Sequence, residues 1–306
     1  MKQLLNTLYI MTQGTYLRLD HETVKVEVDG TTQLQVPLHH IGELVCFGDV
    51  MLSPAVMRRC MEDAISVVLL EQNGRFAGRL EGRLTGNVLL RRNQHAALDD
   101  TETTLRLARD FVAGKLRNSR EVLLRGAREA ASDADRERLT LAARRLSSSL
   151  RHLPEASDLN IVRGIEGEAA RDYFGAFDAM IRVDRDAFAF SSRTRRPPRD
   201  RINALLSFLY TLLLNDCVGA VAGVGLDPQV GFLHTLRPGR PALALDLMEE
   251  LRSVVADRLA LTLINRRQIS SRDFEERPGG SVYLSDRARK EIVVAYQNRK
   301  QEQITH

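Results

Sequence analysis

The stretch GFLHTLRPGRPALALDLMEELR, residues 231–252, sets one histidine, His234, ahead of a Pro/Gly loop and then brings Asp246, Glu249 and Glu250 close together. An imidazole and carboxylates are the donor types of a divalent site, Mg²⁺ or Mn²⁺, with the imidazole favouring Mn²⁺. Two protein ligands rarely hold such an ion, so a further carboxylate is required. IVRGIEGEAARDYF, residues 161–174, offers Glu166, with Gly164 and Gly167 leaving room beside it for a ligand or another backbone.

Each of these features also has a plain structural reading. Leu247, Met248, Leu251, Val254, Val255 and Leu259 fall along one side of a helix, and Asp246, Glu249, Glu250, Ser253 and Asp257 along the other. A helix with one face in water shows the same pattern. No cation follows these acids at i+4 to relieve the stripe, although Arg252 lies three residues after Glu249. The helix dipole accounts for an acid in a first turn, a reading that covers Asp246, Glu166 and Glu168. His234 fits equally a structural group among apolar neighbours. Spacing alone does not bring Glu166 to His234.

Charge adds a second feature. IRVDRDAFAFSSRTRRPPRDR, residues 181–201, carries seven arginines against three aspartates. Guanidinium groups pair well with phosphate oxygens, which makes Arg193, Arg195, Arg196 and Arg199 candidate DNA-phosphate contacts; a solvated linker is the alternative. The formal net charge of +4 permits nucleic-acid binding without requiring it. The composition, 43% hydrophobic and 27% charged, is that of a soluble globular protein. Three widely spaced cysteines, Cys46, Cys60 and Cys217, suit a reducing cytoplasm and no disulfide framework. The apolar run from Ile202 to Leu214 reads as too short for a membrane span, and MKQLLNTLYIM shows no signal-cleavage pattern.

Positioning these residues falls to two kinds of element. TVKVEVDGTTQLQV, residues 23–36, alternates on both sides of Asp29-Gly30, a hairpin signal. Residues 41–48 read as a strand, 53–63 as a helix capped by Ser53 with Pro54 at its first position, and 65–80 as strand, Asn73-Gly74 turn, strand. From about Asn87 the period becomes helical, over 88–152, 165–182, 200–222, 242–266 and 285–303. The expected fold class is α+β. A small β-rich, sandwich-like domain with one inserted helix, residues 1–86, precedes a larger all-α domain, residues 87–306, that carries the site.

RGIEGEAAR, INALLSFLYTLLLNDCVGAVAGVGLDPQVGFLHT and LDLMEELR, in this order, together resemble the CRISPR-associated integrase and endonuclease of the adaptation module, the "Cas-one" family. RTRRPPRD is also similar to family sequence, and the resemblance covers nearly the whole chain. It implies that Glu166, His234 and Glu249 ligate Mn²⁺ or Mg²⁺, with Glu249 standing where many members have Asp. Asp246 matches a position that either binds the metal or organises the site. The implied activity is integration of prespacer DNA into a CRISPR array by attack of a 3′-hydroxyl on a phosphodiester, together with endonucleolytic hydrolysis. The implied partners are double- and single-stranded DNA (prespacer and CRISPR repeat), a second copy of the chain paired through the β domain, and a small bridging "Cas-two" subunit, with no membrane. Relatives tend to run on past QNRKQEQITH, which leaves tail contacts open. Two other readings are a non-catalytic DNA-binding scaffold of the same fold and a metal hydrolase of small phosphoesters, against which the arginine loop speaks.

Overall fold

The computed structural model describes residues 7–80, 82 and 87–302. Two compact units emerge: Met1–Thr85 with Arg289–His306, and Gly86–Ala288.

The first unit contains β1 (Thr7–Ile10), β2 (Thr15–Asp20), β3 (Thr23–Val28), β4 (Thr31–Pro37), β5 (Glu43–Phe47), β6 (Val50–Leu52), α1 (Pro54–Glu62), β7 (Ser66–Leu70) and β8 (Phe76–Leu80). The strands form two four-stranded sheets, ordered β1-β5-β7-β8 and β4-β3-β2-β6. The alternation at 23–36 produces the β3–β4 hairpin. Asp29 and Gly30 both have positive φ, 49° and 74°, as a tight turn between twisted strands demands. Ile10, Leu44, Cys46 and Val67 from one sheet meet Leu17, Val24 and Val26 from the other, and Val56 and Cys60 of α1 join the same core. The sandwich-like expectation therefore holds. Ser53 caps α1 by accepting the Val56 N–H at 3.3 Å. The sequence pattern misses β1 and β6, which at 4 and 3 residues are too short to show a period.

The second unit contains α2 (Val88–Asp99), α3 (Thr101–Arg128), α4 (Asp133–His152), α5 (Leu159–Gly175), α6 (Arg201–Gly223) and α7 (Ala242–Leu251). A π-helical turn over Arg252–Asp257 leads into α8 (Arg258–Asn265), β9 (Phe274–Arg277), β10 (Ser281–Leu284) and α9 (Asp286–Gln301). Asn87, Asp100, Ser132, Asp158 and Asp200 each cap a helix by accepting backbone N–H groups, so most helix starts are written in single residues. The long α3 packs on α4, α5 and α7, and α6 packs on α7.

Three expectations need correction. The second unit is not all-α: β9 and β10 form an antiparallel hairpin pairing Phe274 with Leu284. The apolar run at 202–214 belongs to a helix of 23 residues, long and apolar enough to cross a membrane by length and composition alone. In this structure α6 is a core helix, with Ile202, Leu205, Leu206, Leu209 and Leu212 all nearly inaccessible. The stretch 87–306 does not stay together either. From Arg289 the chain groups with the β unit, where Gln297 Nε2 donates to the Tyr9 hydroxyl at 2.7 Å and Ile292 and Tyr296 are buried. The expected boundary after residue 86 and the tail at 303–306 lie at or outside the limits of the described residues.

Candidate metal centre

The acidic face of α7 points inward. Asp246 is 0% exposed and Glu249 4%, and Ser253 and Asp257, carried on by the π-turn, are buried as well. The solvated-face reading is thereby overturned. Neither Asp246 nor Glu166 lies in a first turn, since α7 starts at Ala242 and α5 at Leu159. The dipole explanation for these acids also falls.

Asp246 is consumed by the loop that carries His234. Its Oδ2 accepts the Phe232 and Leu233 N–H groups at 2.6 and 3.0 Å, and its Oδ1 accepts the His234 N–H at 2.9 Å. The same Oδ1 lies 2.7 Å from His234 Nδ1. Facing a carboxylate, Nδ1 must carry the proton, so the Nε2 lone pair is left pointing away from Asp246. Gly231 makes this closeness possible. A Cβ there would stand 2.7 Å from Asp246 Oδ2 and 2.5 Å from the Ala242 carbonyl carbon. The loop is held from behind by the buried Gln94 of α2, whose side chain bonds the backbone of Asp227 at 2.9 Å and of Val230 at 3.0 Å.

Glu166 reaches the same place from α5. One turn before it, Arg163 donates from Nε to the Leu233 carbonyl at 2.8 Å, fastening α5 to the histidine loop. Gly164 and Gly167 face open space, as expected of glycines that leave room beside a carboxylate. The third side is α3. A Cβ at Gly114 would stand 2.7 Å from Glu250 Cγ, and Asn118 Nδ2 donates to the Glu250 carbonyl at 2.8 Å, so α3 lies hard against α7. That approach delivers Lys115.

The Lys115 ammonium bonds Glu166 Oε1 and stands 2.6 Å from Glu249 Oε2. His234 Nε2 is 3.9 Å from Glu249 Oε1, which also pairs with Arg252 at 2.9 Å. Glu166 and Glu249, far apart in sequence, thus meet across one ammonium, and His234 Nε2 stands on the side of the other Glu249 oxygen. Burial pushes the Glu249 carboxyl up, but Arg252 and Lys115 outweigh it and hold the group down at about 2. Among the described residues, no three His, Cys, Asp or Glu side chains stand together as a ready metal cage; the ammonium lies between the two glutamates. The residues nonetheless fit a divalent ion. They are hard oxygen donors plus one oriented imidazole, and a cation already stands between the carboxylates.

Behind the cluster, Asp257 accepts the Tyr173 and Tyr210 hydroxyls at 2.9 and 2.5 Å, and burial pushes its carboxyl above the usual range. Arg252 and Arg193 both stack on Tyr210, at 4.9 and 5.0 Å from the ring centre. This separates the arginine loop into two kinds of residue. Arg193 is turned inward, bonding the Asn203 side chain, whereas Arg195, Arg196 and Arg199 are exposed. Lys115, Arg163, Gln94 and Asn118 escape the sequence reading. Each is a lone polar residue in an ordinary helical pattern, and only its tertiary partner gives it meaning.

The fold, two sheets followed by a mainly helical unit, is that of the Cas1 proteins: a Cas1 protein from Thermotoga maritima superposes with a TM-score of 0.84 at 26% identity, over 97% of this chain and 91% of its own. The chain belongs to the CRISPR-associated Cas1 family, whose model, "CRISPR associated protein Cas1", matches residues 8–298. The CRISPR-associated endonuclease Cas1 1 of Moorella thermoacetica is 60% identical over 303 residues, 99% of this chain and 88% of that protein. A chain in a solved Cas6-RT-Cas1–Cas2 complex matches with a TM-score of 0.82 at 25% identity, over 97% of this chain and 32% of that one.

Proposed function

We propose that Glu166, His234 and Glu249 hold one divalent ion in this chain, which as a Cas1 protein is a DNA endonuclease and integrase of CRISPR spacer acquisition. The observation that supports the ligand set is that Glu166 and Glu249 face each other across a single ammonium with His234 Nε2 3.9 Å from Glu249 Oε1. Mn²⁺ suits the imidazole better than Mg²⁺, and either accepts the carboxylates. When bound, the ion supplies charge stabilisation at the scissile phosphate and activation of the attacking oxygen.

The chain's own residues prepare that chemistry. Asp246 is a positioning residue: it fixes the His234 tautomer and aims Nε2 at the cluster. Arg252 keeps Glu249 ionised although it is buried. Arg163 keeps α5, and with it Glu166, in register with the histidine loop. With a prespacer 3′-hydroxyl as nucleophile the same site joins DNA strands; with water it cuts them.

DNA and a Cas2 subunit are its partners. The DNA takes the form of double- and single-stranded prespacer and of the CRISPR repeat, and the chain acts as a homodimer bridged by Cas2. Three free, buried cysteines suit the reducing cytoplasm.

Glu166→Ala, His234→Ala and Glu249→Ala are expected to abolish Mn²⁺-dependent strand transfer of a prespacer into repeat DNA, assayed with Cas2, while DNA binding persists. Full strand transfer by any of the three removes that residue from the ligand set. Loss of all three activities with undiminished Mn²⁺ binding removes the set as a whole.

A further inference from the structure

We propose that Lys115 is a built-in placeholder for the divalent ion: its ammonium occupies the metal position in the metal-free protein, keeps Glu166 and Glu249 together, and must leave before a metal can enter. The inference rests on the ligand set proposed above.

The geometry is direct. Lys115 comes from α3, an element that carries none of the three proposed ligands, and its side chain is only 12% exposed. It meets both carboxylates at once, bonding Glu166 Oε1 and lying 2.6 Å from Glu249 Oε2. Two carboxylates brought to one site repel, and leaving a buried one unpaired is costly. Arg252 relieves only the other oxygen of Glu249 and makes no ion pair with Glu166 among the described residues. The ammonium is therefore the group that holds the two acids together when no metal is bound.

An ammonium and a divalent ion cannot share this position. Both need the same oxygen lone pairs, and Mg²⁺-sized ions require oxygens at about 2.0–2.1 Å, a distance that leaves no room for a nitrogen between them. Charge points the same way. Lys115 and Arg252 already offset the two carboxylates, so a dication entering beside both would face a neutral site. Lysine suits the part, because its point charge on a flexible four-carbon stem swings away where a guanidinium fork would stay planar and committed.

A purely structural lysine and a placeholder predict opposite outcomes for metal binding. If Lys115 only supported the fold, its removal would loosen the ligands and weaken the metal. As a placeholder, its removal frees the ligands and strengthens it. Isothermal titration of the metal-free, full-length protein with MnCl₂ is expected to show Lys115→Met binding Mn²⁺ about tenfold more tightly than wild type. The variant should also melt lower without metal and gain more melting temperature than wild type in excess Mn²⁺. Lys115→Gln gives a second uncharged side chain should the Met variant not fold. The wild type provides a test without mutation: Lys115 is one of five lysines, and its ¹³Cε signal is expected to move on adding Mg²⁺ and to stay unmoved in Glu249→Gln. Equal or weaker Mn²⁺ binding by the lysine variants, or a Lys115 signal indifferent to Mg²⁺, overturns the placeholder while leaving the ligand set standing. Absence of Mn²⁺ binding in wild type and variants alike overturns both.

Discussion

His234 Nδ1 lies 2.7 Å from Asp246 Oδ1, and the same carboxylate takes the backbone N–H groups of residues 232, 233 and 234. One fully buried side chain thus decides both where the histidine loop runs and which ring nitrogen faces the cluster. Asp246→Ala orphans three backbone donors, each worth about 1–3 kcal/mol when buried without a partner. The expected loss is about 3 kcal/mol or more in chemical denaturation of the metal-free protein. Asp246→Asn, which keeps one acceptor oxygen and sets an amide NH₂ against N–H donors, should fall between. A loss below about 1 kcal/mol for the alanine variant would mean that the loop is held chiefly from elsewhere, Gln94 and Arg163 being the other fasteners.

The three thiols should be chemically silent in the folded protein. Burial pushes Cys46 up to about 12, Cys60 to about 11 and Cys217 to about 12. A raised thiol pKa means that the nucleophilic thiolate is scarce at neutral and mildly alkaline pH, and none of the three sulfurs is within easy reach of solvent. DTNB at about pH 8 is expected to label none of them in native protein and all three after unfolding. One rapidly labelled equivalent in the native state contradicts this.

The candidate ligands were legible in sequence because chemistry is written in residue types. An imidazole and two glutamates stand out as ligand types wherever they occur, and their order in the chain carries the family resemblance. Their surroundings were not legible. The stripe Asp246, Glu249, Ser253, Asp257 has the periodicity of a wet helix face, and only the packing of α3 and α6 around α7 and the π-turn turns it into an interior. The partners that make burial tolerable, Lys115 and the Tyr173 and Tyr210 hydroxyls, lie 47 to 134 residues from the acids they meet and carry no local signal. The β3–β4 hairpin was readable from Asp29-Gly30, whereas β1 pairs in parallel with β5 more than 30 residues on, a choice no local pattern encodes. α9 shows the same limit. Its helix was evident, but its grouping with the β unit rests on contacts such as Gln297 to Tyr9.

Acid should release the link between α4 and the segment after α5. Asp135 accepts both Arg185 Nη1 and Nη2, at 2.9 and 3.1 Å, and Ser132 Oγ at 2.9 Å. The Arg185 hydrogen bonds, against partial burial, lower its carboxyl below the usual range. A carboxyl depressed on folding stabilises the native state at pH above its unfolded pKa, and that contribution disappears as pH falls through the folded value. The stability difference between wild type and Asp135→Asn is therefore expected to be largest near neutrality and to shrink as the pH falls below about 4. A difference that grows on acidification reverses the sign and removes the ion pair as its cause.

The arginine loop should divide in function along the line the structure draws through it. Arg193 stacks on Tyr210, 5.0 Å from the ring centre, and bonds Asn203, which itself accepts the Thr194 N–H at 3.0 Å. Removing Arg193 takes away packing and hydrogen bonds inside the helical unit, so Arg193→Ala is expected to lower the melting temperature. Arg195, Arg196 and Arg199 are exposed, and their removal should leave melting within about a degree of wild type, as surface substitutions do. If these three contact DNA phosphates, each releases counterions on binding, and log K falls with log salt by about 0.9 per phosphate neutralised on duplex DNA. The triple alanine variant should bind duplex DNA more weakly at low salt, with a slope shallower by about 2–3. Measuring affinity across a salt series in wild type and in the triple variant decides the matter: an unchanged slope returns these three side chains to solvent and leaves the DNA path to be sought elsewhere on the helical unit.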